Sequence, residues 1–359
     1  MMVVILLTRI QFTVYFASLW PFLQEIDGSA TMQDYAFMSA AYSVGIAGAA
    51  PLFGYWSNKL GCIRIPSMCS MVLMLSTNFM LMFLENFPGY GKYAMGVARF
   101  LAGIAAGGNT LLPTYWTYAA APKDRSTAAA LFDGAFCLGI ALGPGFQLMF
   151  APIGYPGSIL GHMQINMYTL PAIVANVLVA VSFILMAFFF NEAPMFREGK
   201  RGSMDSTETE ISISIPPFDK VAVFLCIFAK MVQMFIYANM ETIGSMYTQQ
   251  MFNLTRTETT EFNSLLVSLS GFVGFAFLFT YVWTKLVKRI FNIQSIIDLS
   301  SVDNRIGAVI ECHSPWCAST PRIPWLLYAT SYVIVFGVGF AMLNVHLAAM
   351  YSGVSQELI

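Results

Sequence analysis

Nine stretches of about twenty predominantly apolar residues run through this chain, each long enough to cross the hydrocarbon core of a bilayer as a helix. They cover residues 3–22, 36–53, 66–83, 93–112, 127–150, 167–190, 221–247, 262–283 and 325–351. Charged residues make up only 10% of the 359, and mean hydropathy is +0.66. An ordinary soluble domain is about 25% charged. So few charges cannot cover a water-facing surface, and the chain reads as an all-α, polytopic protein whose solvent is lipid. The first stretch lies where a secretory leader would. It is too long, lacks a small-residue cleavage site and holds Arg9, so it reads as a retained span.

The same composition excludes other functions. A net charge of −1 offers nucleic acid no basic surface. His162, His313 and His346 form no ligand spacing. No GxSxG, HExxH or phosphate loop occurs, so neither enzyme chemistry nor a cofactor or metal is indicated. Of the six cysteines only Cys312 and Cys317 share a polar loop.

Orientation follows from lysine and arginine. With alternating spans, Lys59, Arg64, Lys123, Arg125, Arg197, Lys200, Arg201, Lys220, Lys285, Lys288 and Arg289 all fall on one side. The opposite loops hold Lys92 and Arg256 among acidic residues such as Glu25, Asp27 and Asp34. The N-terminus is therefore expected in the cytoplasm. The glycosylation sequon at Asn253 falls on the other, luminal or extracellular side. Residues 191–220, with the run GKRGSMDSTETE, read as a cytoplasmic linker. They divide a six-span bundle, 1–190, from a shorter one, 221–359, with three spans and a polar 290–322 segment.

Glycines recur every fourth residue in two adjoining spans, Gly103 and Gly107, then Gly139 and Gly143. That spacing sets small residues on one helix face and lets helices approach closely in lipid. The pair Gly143-Pro144 is expected to interrupt its helix as a packing hinge.

Three of these features carry a resemblance. Gly54-Tyr-Trp-Ser-Asn58-Lys59-Leu-Gly61 resembles the major facilitator signature between the second and third helices, with Asn58 where Asp is usual. The acid–base latch of that signature is then weakened. Arg99-x-x-x-Gly103-x-x-x-Gly107 is similar to the fourth-helix signature, and Gly139-x-x-x-Gly143-Pro144 to the fifth. Further strings, among them Trp20-Pro21-Phe-Leu-Gln24, Gln164-Ile-Asn166-Met-Tyr168-Thr169, Glu241-Thr242-Ile243 and Cys312 with Trp316-Cys317, resemble the lysosomal major facilitator proteins of the neuronal ceroid lipofuscinosis (Batten disease) type. The resemblance implies a transporter fold of two bundles, an endosomal or lysosomal membrane, and chloride permeation as a proposed activity. Two departures stand against it. The stretch 291–310, with Asp298, Asp303 and Arg305, is a poor span where relatives carry a helix, and the chain stops at Ile359 where they continue. The expectation is about nine spans with an incomplete C-terminal half, in a shortened isoform or incomplete gene product.

Charged residues inside spans are the transport candidates. Arg99 reads as a cavity-facing cation or an interfacial snorkel. Asp133 reads as a proton carrier or a hydrated carboxylate near a helix end. Glu241, a lone carboxylate beside Asn239 and Thr242, suits proton coupling, or else faces water. Arg9 joins them, with snorkelling to the cytoplasmic surface as its alternative. Cys312 and Cys317 form a disulfide if their loop is luminal. The readings of function are a rocker-type carrier of a small solute or anion driven by protons, an anion channel conducting chloride on the same scaffold, or a non-transporting truncated form.

Overall fold

The computed structural model describes residues 2–15, 17–86, 90–113, 115, 125–160, 163–192, 220–283 and 324–343. Helix occurs in each of the nine predicted stretches. By length and composition, seven described helices can cross a membrane. The polypeptide is an all-α, polytopic bundle. Its helices are α1 (Met2–Thr13), α2 (Leu19–Ile26), α3 (Met32–Leu60), α4 (Arg64–Met82), α5 (Gly91–Gly108), α6 (Arg125–Phe150), α7 (Thr169–Ile184), α8 (Lys220–Phe252), α9 (Arg256–Trp283) and α10 (Trp325–Ile334). A π-helical turn, Leu185–Phe189, follows α7, and another, Val335–Gly339, follows α10 before residues 340–343 resume the helix.

Two sequence expectations need correction. The first span is not one helix. The Thr13 hydroxyl donates to the carbonyl of Gly139 on α6 at 2.8 Å and also reaches the Arg9 and Ile10 carbonyls of its own helix. Val14 still donates to the Ile10 carbonyl, and further on the N–H groups of Ser18 and Leu19 both turn back to the Tyr15 carbonyl. A hydroxyl that shares backbone carbonyls in this way favours a bend. The break is buried, with Val14, Ala17 and Ser18 each at most 3% exposed. Irregular backbone is tolerated at membrane depth only under such cover. The second correction concerns Gly143-Pro144. α6 runs through it without interruption from Arg125 to Phe150.

Small residues set how closely the helices pack. A Cβ on Gly45 would lie 2.6 Å from the Phe100 carbonyl, and one on Gly107 2.8 Å from the Ala49 Cβ, so α3 and α5 meet backbone to backbone. Gly139 and Gly143 bring α6 against α1. Gly271 seats α9 on Ala141 of α6, where the Ser268 hydroxyl donates to the Ala141 carbonyl at 2.6 Å. Gly274 and Gly337 join α9 to the end of α10 in the same manner. Apolar side chains such as Phe37, Phe188 and Phe235 point outward, as lipid requires.

One end of the bundle carries a short antiparallel hairpin, β1 (Ser158–Leu160) and β2 (Met163–Ile165). This is the hairpin face. The α3–α4 turn around Gly61 marks the opposite face. The linker 193–219, residues 284–323 with Cys312 and Cys317, and the last sixteen residues lie outside the described residues.

Candidate transport site

The short helix α2 presents its polar residues to the second half of the chain. Trp20 is 3% exposed, and its ring meets Tyr35 edge-on with centroids 5.6 Å apart. Its Nε1 donates to Gln249 Oε1 on α8 at 2.7 Å. The Gln249 amide donates in turn to Gln24 Oε1 at 3.2 Å. The next residue, Glu25, pairs with Arg256 at the start of α9 at 2.8 Å. These contacts draw α2, α8 and α9 together at the hairpin face.

Beside this closure, Glu85 accepts from the Asn166 amide at 2.9 Å, and its other carboxylate oxygen is buried without a partner. Asn166 is fully buried. Its Oδ1 accepts from the Tyr168 and Thr169 N–H groups and opens α7. Burial pushes the Glu85 carboxyl above its ordinary 4.5, opposed by the Asn166 hydrogen bond. A raised folded pKa means that the folded state holds the proton more tightly. This contribution to stability is therefore greatest below the ordinary value and is lost as pH rises through the raised one. Wild-type thermal stability should fall from acidic to neutral pH relative to Glu85→Gln. Parallel melting curves for the two proteins across that range would refute the assignment. On the same face, hydrogen bonds from Ser29, then the Lys92 ammonium 3.6 Å away, hold Asp27 below the usual carboxylate range.

Arg99 lies midway along α5, inside the first six spans. Its guanidinium sits 4.3 Å above the Tyr42 ring, and its Nε is buried with no hydrogen-bond partner. Among the described residues no carboxylate stands within ion-pair distance of it. Nearby, the Tyr15 hydroxyl donates to Asn78 Oδ1 at 3.2 Å. Arg9 is elsewhere, its Cζ 5.1 Å from the ring centres of both Phe132 and Phe136 on α6. The structure thus separates these two candidate cations. Asp133 and Glu241 take helical positions on α6 and α8, but their side chains lie outside the described set.

Among the spaces between the helices, two adjoin the candidate residues. A cavity of about 50 Å³ adjoins the break in the first span and is walled by α6, α8, α9 and α10. A larger groove of about 610 Å³ separates α3 from α8, lined by Ser39 and Ser43 on one side and Asn239 and Thr242 on the other.

At the opposite face the signature loop is held differently from the expected latch. Asn58 and Lys59 are exposed, and Gly54 meets open space. Gly61 caps α3 with φ 68°, a left-handed turn that glycine adopts without strain. The acid is supplied by Glu192, just past α7. Its carboxylate accepts from the N–H groups of Ile63 and Arg64 at 2.7 and 2.9 Å, at the start of α4, where the helix dipole favours negative charge. Arg64 in turn donates to the Ala187 carbonyl in the π-turn. Asn253 is exposed, in a left-handed turn between α8 and α9 at the hairpin face. Thr255 of the same sequon caps α9 through Glu258.

Sequence reasoning used Trp20 and Gln24 only for resemblance and Glu25 and Arg256 only for orientation, and gave no role to Gln249 or Glu192. Polar residues at the ends of apolar stretches were the available signal, but partners more than 120 positions away are not visible in a one-dimensional pattern.

Membrane-length helices meeting through glycine-lined contacts, tied together at one face and leaving space between them, fit a membrane transporter. The chain belongs to the Major Facilitator Superfamily, whose family model matches residues 1–357. It is 26% identical over 393 residues to Major facilitator superfamily domain-containing protein 8 of Xenopus laevis, covering 96% of this chain and 77% of that one. Among solved structures it is similar to the xylose transporter XylE of E. coli in a partially occluded inward open conformation (TM-score 0.62, 16% identity, 99% of this chain and 89% of that one). It is also similar to the human organic anion transporter MFSD10 (TM-score 0.56, 16% identity, 99% and 90%). A third is a bacterial homolog of the human lysosomal transporter Spinster (TM-score 0.59, 12% identity, 98% and 72%). Such identities establish fold alone. Family and fold point to a transporter rather than an enzyme.

Proposed function

We propose that this protein is an alternating-access carrier of a small solute in an endosomal or lysosomal membrane. In this reading residues 1–190 and 221–359 form the two moving bundles, 191–220 joins them on the cytoplasmic side, and the hairpin face is luminal. The observation that supports it is the one-sided closure: the Trp20–Gln249–Gln24 chain and the Glu25–Arg256 pair tie the halves at the hairpin face. Such contacts must break for the site to open to that side, which is how a rocking carrier alternates. Location rests on the resemblance to lysosomal relatives.

Reversing one charge tests the closure. Arg256→Glu sets two carboxylates against each other, and a cysteine placed at Ser245 should then label faster from the hairpin side with an impermeant thiol reagent. Unchanged labelling would sink the gate. Glu241, one turn before Ser245 on α8, is the carboxylate we assign to proton coupling. Glu241→Gln should abolish uphill uptake driven by a pH gradient while sparing exchange at equal pH. Retained accumulation would remove it from that role.

An anion-conducting mode has one observation in its favour, the buried Arg99 Nε, which has no hydrogen-bond partner among the described residues. A current across enlarged endolysosomes that survives Arg99→Ala would count against it.

A further inference from the structure

Glu85 sits in the short turn, residues 84–86, that follows α4 outside the membrane spans. Its neighbour Leu84 is fully buried in the same core as Phe22 and Leu23 of α2 and Tyr168 just before α7. One Glu85 carboxylate oxygen accepts from the Asn166 amide at 2.9 Å, and the other is enclosed with no partner. An ionised carboxylate has about four acceptor sites, so in this place it is short of hydrogen bonds. Asn166 also holds the Tyr168 and Thr169 N–H groups and so fixes the corner from which α7 starts. The Tyr168 ring stacks on Phe22 with centroids 5.2 Å apart. Phe22 lies between Trp20 and Gln24, which both bond to Gln249. A line of contacts therefore runs from Glu85 through Asn166 and Tyr168 to the helix that ties the hairpin face.

Uncharged, the Glu85 carboxyl suits this enclosure. Charged, it gains by meeting water. Its enclosed oxygen meets water when the corner around Asn166 loosens, and the Phe22 stack and α2 loosen with it. A group that binds its proton more tightly in the tied form must favour that form when protonated. Burial raises the Glu85 carboxyl here, against the Asn166 bond. The tie is then strongest below the ordinary carboxylate value and is lost as pH rises through the raised one.

Other ionisable groups surround it. On the approach to the hairpin, burial and then the Glu85 charge hold the Tyr155 hydroxyl above its ordinary value. Burial pushes Tyr168 up to about 12. Neither ionises between acidic and neutral pH. Glu25 of α2 pairs with Arg256 of α9, and Asp27 just past α2 faces Lys92 of α5 at 3.6 Å. Bonds from Ser29, more than Lys92, keep Asp27 ionised. Arg99 lies deeper on α5, over Tyr42. His162, in the hairpin turn, lies outside the described residues and enters the test as a control.

We infer that Glu85 is a proton-binding site whose occupancy sets the hairpin-face tie: with the proton bound the two halves stay drawn together there, and without it they part. The inference deepens the carrier reading and rests on it. It adds a proton site at the gate to the one assigned to Glu241.

The test uses the full-length chain in nanodiscs. A ketone-bearing amino acid replaces Tyr90 and Gln250, exposed positions near the hairpin face on α5 and α8, and carries nitroxide labels that leave the native cysteines alone. Pulsed electron–electron resonance reads the distance between them at about pH 5 and about pH 7.5, either side of the expected transition. In the wild type a longer distance should gain severalfold in weight at the higher pH. Glu85→Gln, which stays neutral, should hold the short distance at both. Glu85→Asp keeps an acid one methylene further from Asn166 and should respond with a lower midpoint. His162→Gln should leave the response intact. A wild-type distribution that is equal at both pH values would overturn the inference. So would a response that survives Glu85→Gln or vanishes in His162→Gln. If Glu85→Gln does not fold, an unmoved midpoint in Glu85→Asp would overturn it instead. Arg256→Glu separates the proton site from the gate. A longer distance in that variant at both pH values, with an indifferent wild type, defeats the proton site and leaves the gate. A distance fixed in Arg256→Glu and across pH in the wild type defeats both.

Discussion

Gly143→Leu should prevent the first six spans from assembling. A Cβ at this position would lie 2.9 Å from the Val14 nitrogen and 3.0 Å from the Ile10 carbonyl oxygen, besides striking the Thr13 hydroxyl. Two of these neighbours are backbone and cannot rotate away. The remaining atoms of leucine then have no room, and overpacking of this kind costs about 3 kcal/mol or more. Leucine favours a helix over glycine by only about 1 kcal/mol, so the clash wins. The clash also disturbs the Thr13–Gly139 hydrogen bond between α1 and α6. Fluorescence-detected gel filtration after heating should show a large fall in the monodisperse fraction. Gly48→Ala is the matched control, because a Cβ there meets nothing within 4 Å. It should be neutral or stabilising by about 0.5–1 kcal/mol. Equal behaviour of the two variants would refute the packing argument.

Trp20→Ala should be nearly as damaging, and for a reason tied to function. The indole is 3% exposed in the core at the hairpin face, against Tyr35. Removing a buried tryptophan side chain costs about 3–5 kcal/mol. It also cuts the 2.7 Å bond to Gln249 that ties α2 to α8. Trp20→Phe separates these effects, since it keeps a ring and loses the donor. Loss of one hydrogen bond, about 1 kcal/mol, should shift the open–closed balance roughly fivefold toward opening at the hairpin face with little loss of stability. Thiol labelling of a cysteine at Ser245 from that face reads the shift. A phenylalanine variant as closed as wild type would show that packing alone holds the gate.

Much of the architecture was legible in advance because lipid leaves a chain few choices. Backbone groups must be satisfied within helices, so length and apolarity mark the spans. Close helix contacts need small residues, so the spacing of Gly103 with Gly107 and Gly139 with Gly143 marked faces that meet α3 and α1. The candidate site was far less legible. Arg9 and Arg99 looked alike as buried cations, yet one stacks on two phenylalanines of α6 and the other lies over Tyr42 in α3. Asn58 looked like a lost acid, yet Glu192, 134 positions later, brings a carboxylate to the neighbouring backbone.

Composition and periodicity alone determined that this chain is a bundle of membrane helices packed through glycines, because the bilayer penalises every alternative locally, residue by residue. Only the folded arrangement decided that the first span breaks beyond Thr13, that α2 ties one face, and that a cavity opens beside the break. Each of those depends on a hydroxyl, an indole or an amide meeting a partner 126 to 229 positions away. Hydrogen bonds act over about 3 Å in space and carry no trace in the linear order of residues.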